Sequence, residues 1–219
     1  YMVQRKNTST LKKFLGELRS CIICNGNNFE HFAKLDSFEA KKCKDCGMIS
    51  TNPHLTEEGL LEYYGNYLTD RVSDTDPKEK ILLEQRNLAY LIDRDWILKF
   101  IDHGKVLDVG CSGGQFLNIF DPKKWERLGV DVSKEDSDFA KSKYDIDVKV
   151  GFLPNMHFDD KFDLVILRGV IEHISKPLEF LQKCYDLLKP GGYLFITASP
   201  VGDSFAFDVY REKWILFNP

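Results

Sequence analysis

The chain has 219 residues, of which 43% are hydrophobic and 13% aromatic, enough for a sizeable core. Charged residues make up 29% and the formal net charge is −4. This composition excludes a disordered chain and a global field that would draw the protein onto nucleic acid. The sequence has no apolar stretch long enough to cross a bilayer and no apolar signal-peptide core at residues 1–10, so we expect a cytoplasmic location.

The first predicted element is a small, metal-stabilised module over residues 11–54. Its four cysteines form two CxxC pairs separated by eighteen residues, Cys21 with Cys24 and Cys43 with Cys46. This spacing is typical of a four-cysteine Zn²⁺ site, and such a closed site is structural, not catalytic. Asn25 and Gly47 follow the pairs and tolerate the left-handed backbone that the turn needs. Unrelated buried cysteines or a redox pair are the alternatives.

A helical linker or lid is predicted next, over residues 55–103. Thr56 can cap a first helix, and the apolar spacing over residues 77–100 predicts a second helix. Tyr63, Tyr64 and Tyr67 form an aromatic cluster before the polar run 69–76. The cluster could fold over a ligand, or it could be core or domain interface.

Strands and helices alternate over residues 104–219. We expect strands at 106–109, 127–132, 148–150, 162–167 and 193–198, and helices at 115–120, 134–144 and 178–188. The predicted fold class is therefore α/β, with a Rossmann-like, mostly parallel sheet flanked by helices and a small zinc-ribbon-like module in front. We expect the C-terminal strands of such a sheet to be incomplete, as in a truncated form or an unusually short protein.

A glycine-rich turn joins the first of these strands to its helix, in the stretch VLDVGCSGGQFL at residues 106–117. Such a turn lets backbone amides approach a ligand closely. Asp108 near the strand end can accept a hydrogen bond from a ligand ammonium group. Asp131 ends the next strand, twenty-three residues further on, where a carboxylate can bind ribose hydroxyls. A dinucleotide fingerprint has the spacing GxGxxG, which this turn does not have.

Four stretches in order resemble the seven-strand class of S-adenosylmethionine-dependent methyltransferases. They are LDVGCSGG at 107–114, GVDVS at 129–133, FDLVI with IEH between 162 and 173, and LLKPGGYL at 187–194. The resemblance implies methyl transfer from S-adenosylmethionine. It also implies a set of cofactor-binding residues: Asp108, Gly110, Cys111, Ser112, Gly114, Asp131, Val132, Phe152, Leu153, Arg168 and Gly169.

Two positions depart from the pattern of that family. Ser112 stands where a glycine is common, and a serine fits if its backbone angles stay ordinary. Phe152 stands where an acidic residue often holds the adenine, so the contact there is expected to be backbone plus stacking. Cys111 and Cys184 are expected to be packing residues in place of nucleophiles.

His173 and Tyr67 are the candidate catalytic residues, since transfer to an oxygen or carbon can need a base. Tyr64, His157 and Glu172 are further candidates near the expected site. Glu172 and His173 could equally cap the next helix and contact no substrate. A metal-binding Glu-x-x-Glu-His run would need a glutamate where Gly169 stands, so no catalytic metal is predicted.

The order of module, tyrosine helix and core resembles the methyltransferases of nucleotide-linked sugars. The expected partner is therefore a small-molecule substrate, without membrane or nucleic acid, and the oligomeric state stays open. The alternative is an RNA-modifying methyltransferase that grips nucleic acid through the zinc module. Residues 1–50 carry a net charge of +4, which favours RNA binding, while the rest of the chain carries −8, which disfavours RNA binding. A scaffold that retains the fold without catalysis is a third hypothesis.

Overall fold

The structure is a computed structural model that describes residues 12–35, 38–65, 77–199, 202 and 204–211. Contacts divide the described chain into two units. The first holds the described residues up to Tyr63, the loop Glu172–Leu178 and the described residues from Ser199 onward. The second holds the described residues within Tyr64–Ile171 and the segment Glu179–Ala198.

The first unit is built on two small antiparallel sheets. Strands β1 (Leu15–Gly16) and β5 (His54–Leu55) form one of them. Strands β2 (Phe29–Leu35), β3 (Phe38–Cys43) and β4 (Ile49–Asn52) form the other, in the order β2-β3-β4. Late in the chain, helix α6 (Phe205–Tyr210) inserts Phe207 against Ala33 and Ala40. The Phe207 ring stacks on Phe32 with centroids 4.6 Å apart, so the unit shares one apolar cluster.

Helix α1 (Glu57–Gly65) begins as the sequence predicts. The Thr56 hydroxyl accepts a hydrogen bond from the Gly59 backbone N–H at 3.2 Å, which satisfies one of the free donors of the first turn. The predicted cap is therefore confirmed.

The second unit contains one five-stranded sheet with helices around it. Its strands are β6 (Gly104–Val109), β7 (Trp125–Asp131), β8 (Asp147–Val150), β9 (Phe162–Arg168) and β10 (Leu188–Thr197). They lie in the order β10-β9-β6-β7-β8, and every neighbouring pair is parallel. The helices are α2 (Pro77–Ile97), α3 (Gln115–Asn118), α4 (Lys134–Tyr144) and α5 (Pro177–Leu187). The predicted α/β fold class is confirmed.

The core of this unit surrounds the central strands. Val106, Leu107 and Ile166 have no exposed surface, as expected for strands that are covered on both faces. Because the strands are parallel, the carboxyl ends of β6, β7 and β9 lie side by side at one edge of the sheet. The glycine turn follows β6, and Asp108 and Asp131 lie within the last two residues of β6 and β7.

Helix α2 is apolar on two faces. Ile97 is 2% exposed and belongs to the core, whereas Ile92 is 61% exposed and Leu88 and Trp96 are also exposed. The helical apolar spacing was therefore a correct sign of a helix but not of burial. Within the described residues, no helix is both long and apolar enough to cross a membrane.

Candidate cofactor site and metal centre

The glycine-rich turn leaves β6 with three left-handed residues. Gly110 has φ 73°, Ser112 has φ 47° and Gly114 has φ 78°. The expectation of ordinary backbone angles at Ser112 is therefore wrong. A left-handed serine costs free energy that glycine avoids, and the turn tolerates it because the surrounding contacts fix the backbone.

Close packing explains why side chains are excluded around the turn. A Cβ on Gly110 would lie 2.6 Å from Val170, and one on Gly129 would lie 2.4 Å from the sulfur of Cys111. The Cys111 side chain thus fills the space beneath the turn and is 6% exposed. Burial raises its pKa well above the ordinary value, so the thiol is a packing residue, as predicted. Only the backbone of Cys111 can line a ligand.

Asp131 ties the turn to the neighbouring strand. One of its carboxylate oxygens accepts a hydrogen bond from the Ser112 backbone N–H at 2.8 Å. The other accepts from the Ser133 backbone N–H at 2.9 Å. Each oxygen can accept a further bond, so Asp131 can support the turn and still bind hydroxyl groups.

Asp108 is a buried carboxyl beside that turn, only 2% exposed. Burial raises its pKa, the nearby Arg168 lowers it and the nearby Asp131 raises it, with a result of about 8. The two aspartates are thus close enough to interact across the ends of β6 and β7. Asp108 is protonated near neutral pH in the free protein, and a cationic ligand group would favour its ionised form.

Arg168 ends β9 and faces helix α2. Its Nε donates to the Asp93 carboxylate at 2.9 Å, and the other oxygen of Asp93 accepts from the Thr197 hydroxyl at 3.4 Å. The guanidinium carbon lies 4.6 Å from the centroid of the Tyr90 ring. Arg86 approaches the same ring at 6.0 Å.

The sequence analysis missed these α2 residues because it examined the helix only for apolar spacing. Arg86, Tyr90 and Asp93 lie at i, i+4 and i+7, so they share one helical face. The charged residues Arg86 and Asp93 on one helical face with Tyr90 were the signal that could have identified them.

The loop after β8 holds the residues expected at the adenine. Phe152 packs its ring against Phe180 with centroids 5.9 Å apart, whereas the Leu153 side chain is 1% exposed. Leu153 can therefore offer only its backbone to a ligand. Val132 is half-buried, directly after Asp131. Gly169 has φ 67°, and its N–H donates to the Thr197 carbonyl at 2.9 Å.

Of the two candidate catalytic residues, the structure describes only His173. His173 ends the short 3-10 turn Ile171–His173, in the first unit, whereas the cofactor candidates belong to the second. Desolvation lowers the pKa of His173 and the charge of Glu172 opposes this. Glu172 accepts a hydrogen bond from the Ser199 hydroxyl at 2.9 Å. Tyr67 lies outside the described residues.

The further candidates His157 and Tyr64 differ in their exposure to solvent. His157 is exposed and lies 3.5 Å from Asp159. Tyr64 is half-buried in α1.

The four cysteines of the first unit converge on one point. All four sulfurs lie within 4.8 Å of one another. The Sγ atoms of Cys21 and Cys46 are 3.5 Å apart, and those of Cys24 and Cys43 are 3.6 Å apart. Four thiolates at Zn–S distances of about 2.3 Å in a tetrahedron would be roughly 3.8 Å apart. The donor set and its spacing therefore fit Zn²⁺.

The two CxxC turns repeat the same backbone pattern. The N–H of Asn25 donates to the Cys21 carbonyl at 2.9 Å, and that of Gly47 donates to the Cys43 carbonyl at 2.8 Å. Asn25 has φ 59° and Gly47 has φ 80°, so the predicted left-handed positions are confirmed. Each turn therefore aims its two sulfurs at the shared centre.

The comparisons with known proteins identify the second unit. A family described as "Methyltransferase domain" matches residues 74–217, about two thirds of the chain. The chain belongs to the methyltransferase domain family. The α/β sheet, its glycine turn and the ordered stretches of the sequence all lie in the matched region.

Relatives of this methyltransferase domain cover only part of the chain. The ubiquinone biosynthesis O-methyltransferase of Shewanella pealeana is 31% identical over 100 residues, which are 42% of this chain and 42% of that protein. The protein of the same name from Cereibacter sphaeroides is 29% identical over 139 residues, 60% of this chain and 56% of that protein. The chain thus spans about half the length of these relatives.

Among solved structures, the N-methyltransferase NodS of Bradyrhizobium japonicum, in complex with S-adenosyl-L-homocysteine, has a TM-score of 0.47 and 20% identity. The match covers 63% of this chain and 70% of NodS.

Proposed function

We propose that the chain transfers a methyl group from S-adenosylmethionine to a small-molecule acceptor. The observation that carries this proposal is the pair of carboxylates on either side of the glycine turn. Asp108 and Asp131 end neighbouring strands, and Asp131 holds the turn through the Ser112 N–H at 2.8 Å. An ammonium and a ribose at the two ends of one ligand need such a pair.

Each predicted cofactor residue then has a physical role. We assign the backbone at Gly110, Cys111, Ser112 and Gly114 to contact with the ligand, since this turn follows β6 and the Cys111 side chain is buried beneath it. Asp131 accepts hydrogen bonds from the ribose, while Val132, Phe152 and the backbone of Leu153 contact the adenine. Asp108, Arg168 and Gly169 surround the amino-acid end. S-adenosylmethionine, when bound, supplies an electrophilic methyl group on a sulfonium.

The chain's own contribution to the chemistry is alignment and proton removal. The acceptor atom must lie in line with the methyl group, in a site without competing water. We assign proton removal from an acceptor hydroxyl to His173, whose lowered pKa keeps a neutral imidazole nitrogen ready to accept it, or to Tyr67. Zn²⁺ bound by Cys21, Cys24, Cys43 and Cys46 would be structural, since four thiolates close its coordination shell.

For the acceptor we propose a nucleotide-linked sugar. The support is the order of the expected parts: a four-cysteine module (residues 11–54), a helical linker or lid (55–103) and a cofactor domain (104–219). An O-methyl acceptor like that of the relatives named for ubiquinone biosynthesis is a second candidate, supported by their 29–31% identity.

The proposal is tested by incubating the chain, in the longest form that expresses, with S-adenosylmethionine labelled on the methyl group. Three acceptor panels are compared: nucleotide-linked sugars, hydroxylated aromatic compounds and RNA. Label in a sugar supports the proposal, and label in an aromatic hydroxyl supports the second candidate. Label in RNA, with binding that weakens steeply with salt, would favour the nucleic-acid alternative and overturn the small-molecule proposal.

A further inference from the structure

We propose that Asp93 is a positioning residue that turns Arg168 toward the α-carboxylate of the ligand and away from Asp108. The inference rests on the proposed function and deepens it, because it identifies how the site recognises the amino-acid end of its cofactor. Neither the sequence motifs nor the family resemblance involves Asp93, which lies on helix α2.

Asp93 joins α2 to the ends of two strands. Its carboxylate accepts from Arg168 Nε at 2.9 Å, at the end of β9, and from the Thr197 hydroxyl at 3.4 Å, at the end of β10. The side chains of Arg168 and Asp93 are only 21% and 18% exposed. A charged hydrogen bond that is largely withdrawn from water is stronger than a surface pair, so this contact can hold the arginine in one orientation.

Stacking fixes the plane of the guanidinium. Its central carbon lies 4.6 Å from the centroid of Tyr90 and 5.8 Å from that of Phe116. Asp93 occupies only the Nε–H of the side chain. Among the described residues, no hydrogen-bond partner engages either Nη group, and these two donors form the fork that binds a carboxylate.

Arg168 and Asp108 are close without being paired. They interact electrostatically, and Arg168 lowers the pKa of Asp108, yet the structure has no ion pair between them within 4.0 Å. A buried carboxyl and a nearby guanidinium that stay apart offer the two partners that an α-amino acid requires, and the ligand's ammonium group would favour the ionised form of the Asp108 carboxyl. Asp108 can take the ammonium and Arg168 can take the carboxylate.

Neutralising Asp93 should collapse this arrangement. Arg168 would then be free to pair with the Asp108 carboxyl, which such a pair would ionise, and the direct pair would consume both recognition groups. The ligand would lose its amino-acid contacts, while the ribose and adenine contacts near Asp131 and Phe152 would stay intact.

The test compares two ligands that share the nucleoside and differ in the amino-acid arm. S-adenosylhomocysteine carries the arm, and 5′-methylthioadenosine lacks it. We expect Asp93→Asn to weaken the binding of S-adenosylhomocysteine roughly tenfold or more in calorimetry, the order of a lost charged contact. The affinity for methylthioadenosine should stay within about twofold of the wild-type value. Asp93→Glu should restore part of the preference for S-adenosylhomocysteine over methylthioadenosine, because it restores a carboxylate.

Asp95→Asn is the matched control. Asp95 lies two residues along the same helix, is 62% exposed and pairs with Arg94 at 2.6 Å. This variant should bind both ligands as the wild type does. If Asp93→Asn proves unstable by thermal unfolding, Arg168→Lys replaces it, because lysine keeps the charge but loses the fork and should show the same selective loss.

The outcomes separate the inference from the function beneath it. A wild-type chain that binds neither ligand overturns the proposed function and the inference with it. A wild type that binds both ligands equally well keeps the function and overturns the inference. The inference also fails if Asp93→Asn weakens the binding of both ligands equally or strengthens the binding of S-adenosylhomocysteine.

Discussion

The two carboxylate oxygens of Asp131 accept hydrogen bonds from the backbone around the glycine turn and also form the proposed ribose site. Because it accepts from the Ser112 and Ser133 backbone at 2.8 and 2.9 Å, its removal affects both. We predict that Asp131→Ala weakens S-adenosylhomocysteine binding by about 1–3 kcal/mol, the order of a lost charged hydrogen bond, as measured by calorimetry. The unfolding free energy should also fall, because two buried donors lose their acceptor.

Asp138→Ala is the control for this prediction, since the Asp138 side chain is 65% exposed on α4 and forms an ion pair with Lys134 on the same helix. It should alter neither affinity nor stability appreciably. Unchanged affinity in Asp131→Ala would contradict the ribose assignment even if the protein were less stable.

Asp108 gives the folded chain a specific pH dependence. Its pKa is about 8 in the folded chain, raised by burial, whereas an aspartate in an unfolded chain ionises near pH 4. Between these values the folded state holds the extra proton, so the contribution of Asp108 to stability is lost as the pH rises from about 4 to about 8.

We therefore predict that Asp108→Asn flattens this trend. Urea unfolding at about pH 5.5 and about pH 8 should show a larger loss of unfolding free energy in the wild type than in the variant, because the amide does not titrate. Equal losses in both proteins would mean that Asp108 is already ionised in the fold.

At single residues the sequence predicted several positions that the structure confirms. Asp108 and Asp131 lie at the ends of neighbouring strands, and the four cysteines form one cluster, because motif spacing along the chain indicates both arrangements. The left-handed backbone at Ser112 was not recognisable, since a serine carries no local signal for φ 47°. The contact between Asp93 and Arg168 joins residues 75 apart in the chain, and no periodicity records such a pairing.

Helix α2 offers a matched test of its two faces. Ile97 is 2% exposed in the core and Ile92 is 61% exposed on the same helix. We predict that Ile97→Ala lowers the unfolding free energy by about 2–5 kcal/mol, whereas Ile92→Ala changes it by no more than about 0.5 kcal/mol. Chemical denaturation of the two variants measures the difference.

Similar losses in the two variants would contradict the burial pattern of α2. A large loss in Ile92→Ala alone would show that a partner or another part of the protein covers the outer face.

The cysteine turns form the element whose stability depends on metal. We predict that Cys43→Ser lowers the zinc content of the purified protein and destabilises the module, because one of the four thiolates that would bind the metal is lost. Metal analysis and thermal unfolding measure the two effects. Cys184→Ser is the control, since Cys184 is buried in α5, belongs to the second unit and should leave the zinc content unchanged.

Full zinc occupancy and unaltered unfolding in Cys43→Ser would contradict the proposal that the four cysteines bind zinc. Loss of zinc from the Cys184→Ser control would indicate that the metal responds to general destabilisation instead.

Elements with strong end signals were predicted closely. Helix α4 spans Lys134–Tyr144 as expected, because Ser133 caps it and accepts from the Asp136 N–H at 3.2 Å. The helix expected at 115–120 ends instead at Asn118, since the N–H groups of Ile119 and Phe120 bond three residues back and tighten the last turn. Strand β10 begins at Leu188, earlier than expected, with an irregularity before Tyr193.

Over the whole molecule, the sequence predicted the type of each part but not how distant segments combine. The four-cysteine module and the α/β domain were both recognisable from local spacing. The first unit, however, also includes the loop Glu172–Leu178 and helix α6. The stack of Phe32 on Phe207 joins segments near opposite ends of the printed sequence, and only tertiary packing brings them together.

The proposed function depends on one pocket at the carboxyl ends of β6, β7 and β9, and a calorimetric titration with S-adenosylhomocysteine tests it most directly. We predict a single saturable site in the wild-type chain, with affinity reduced in Asp131→Ala and retained in Asp138→Ala. No saturable binding to a correctly folded, zinc-loaded chain would contradict the assignment of the glycine turn and its two carboxylates to a methyl-donor site.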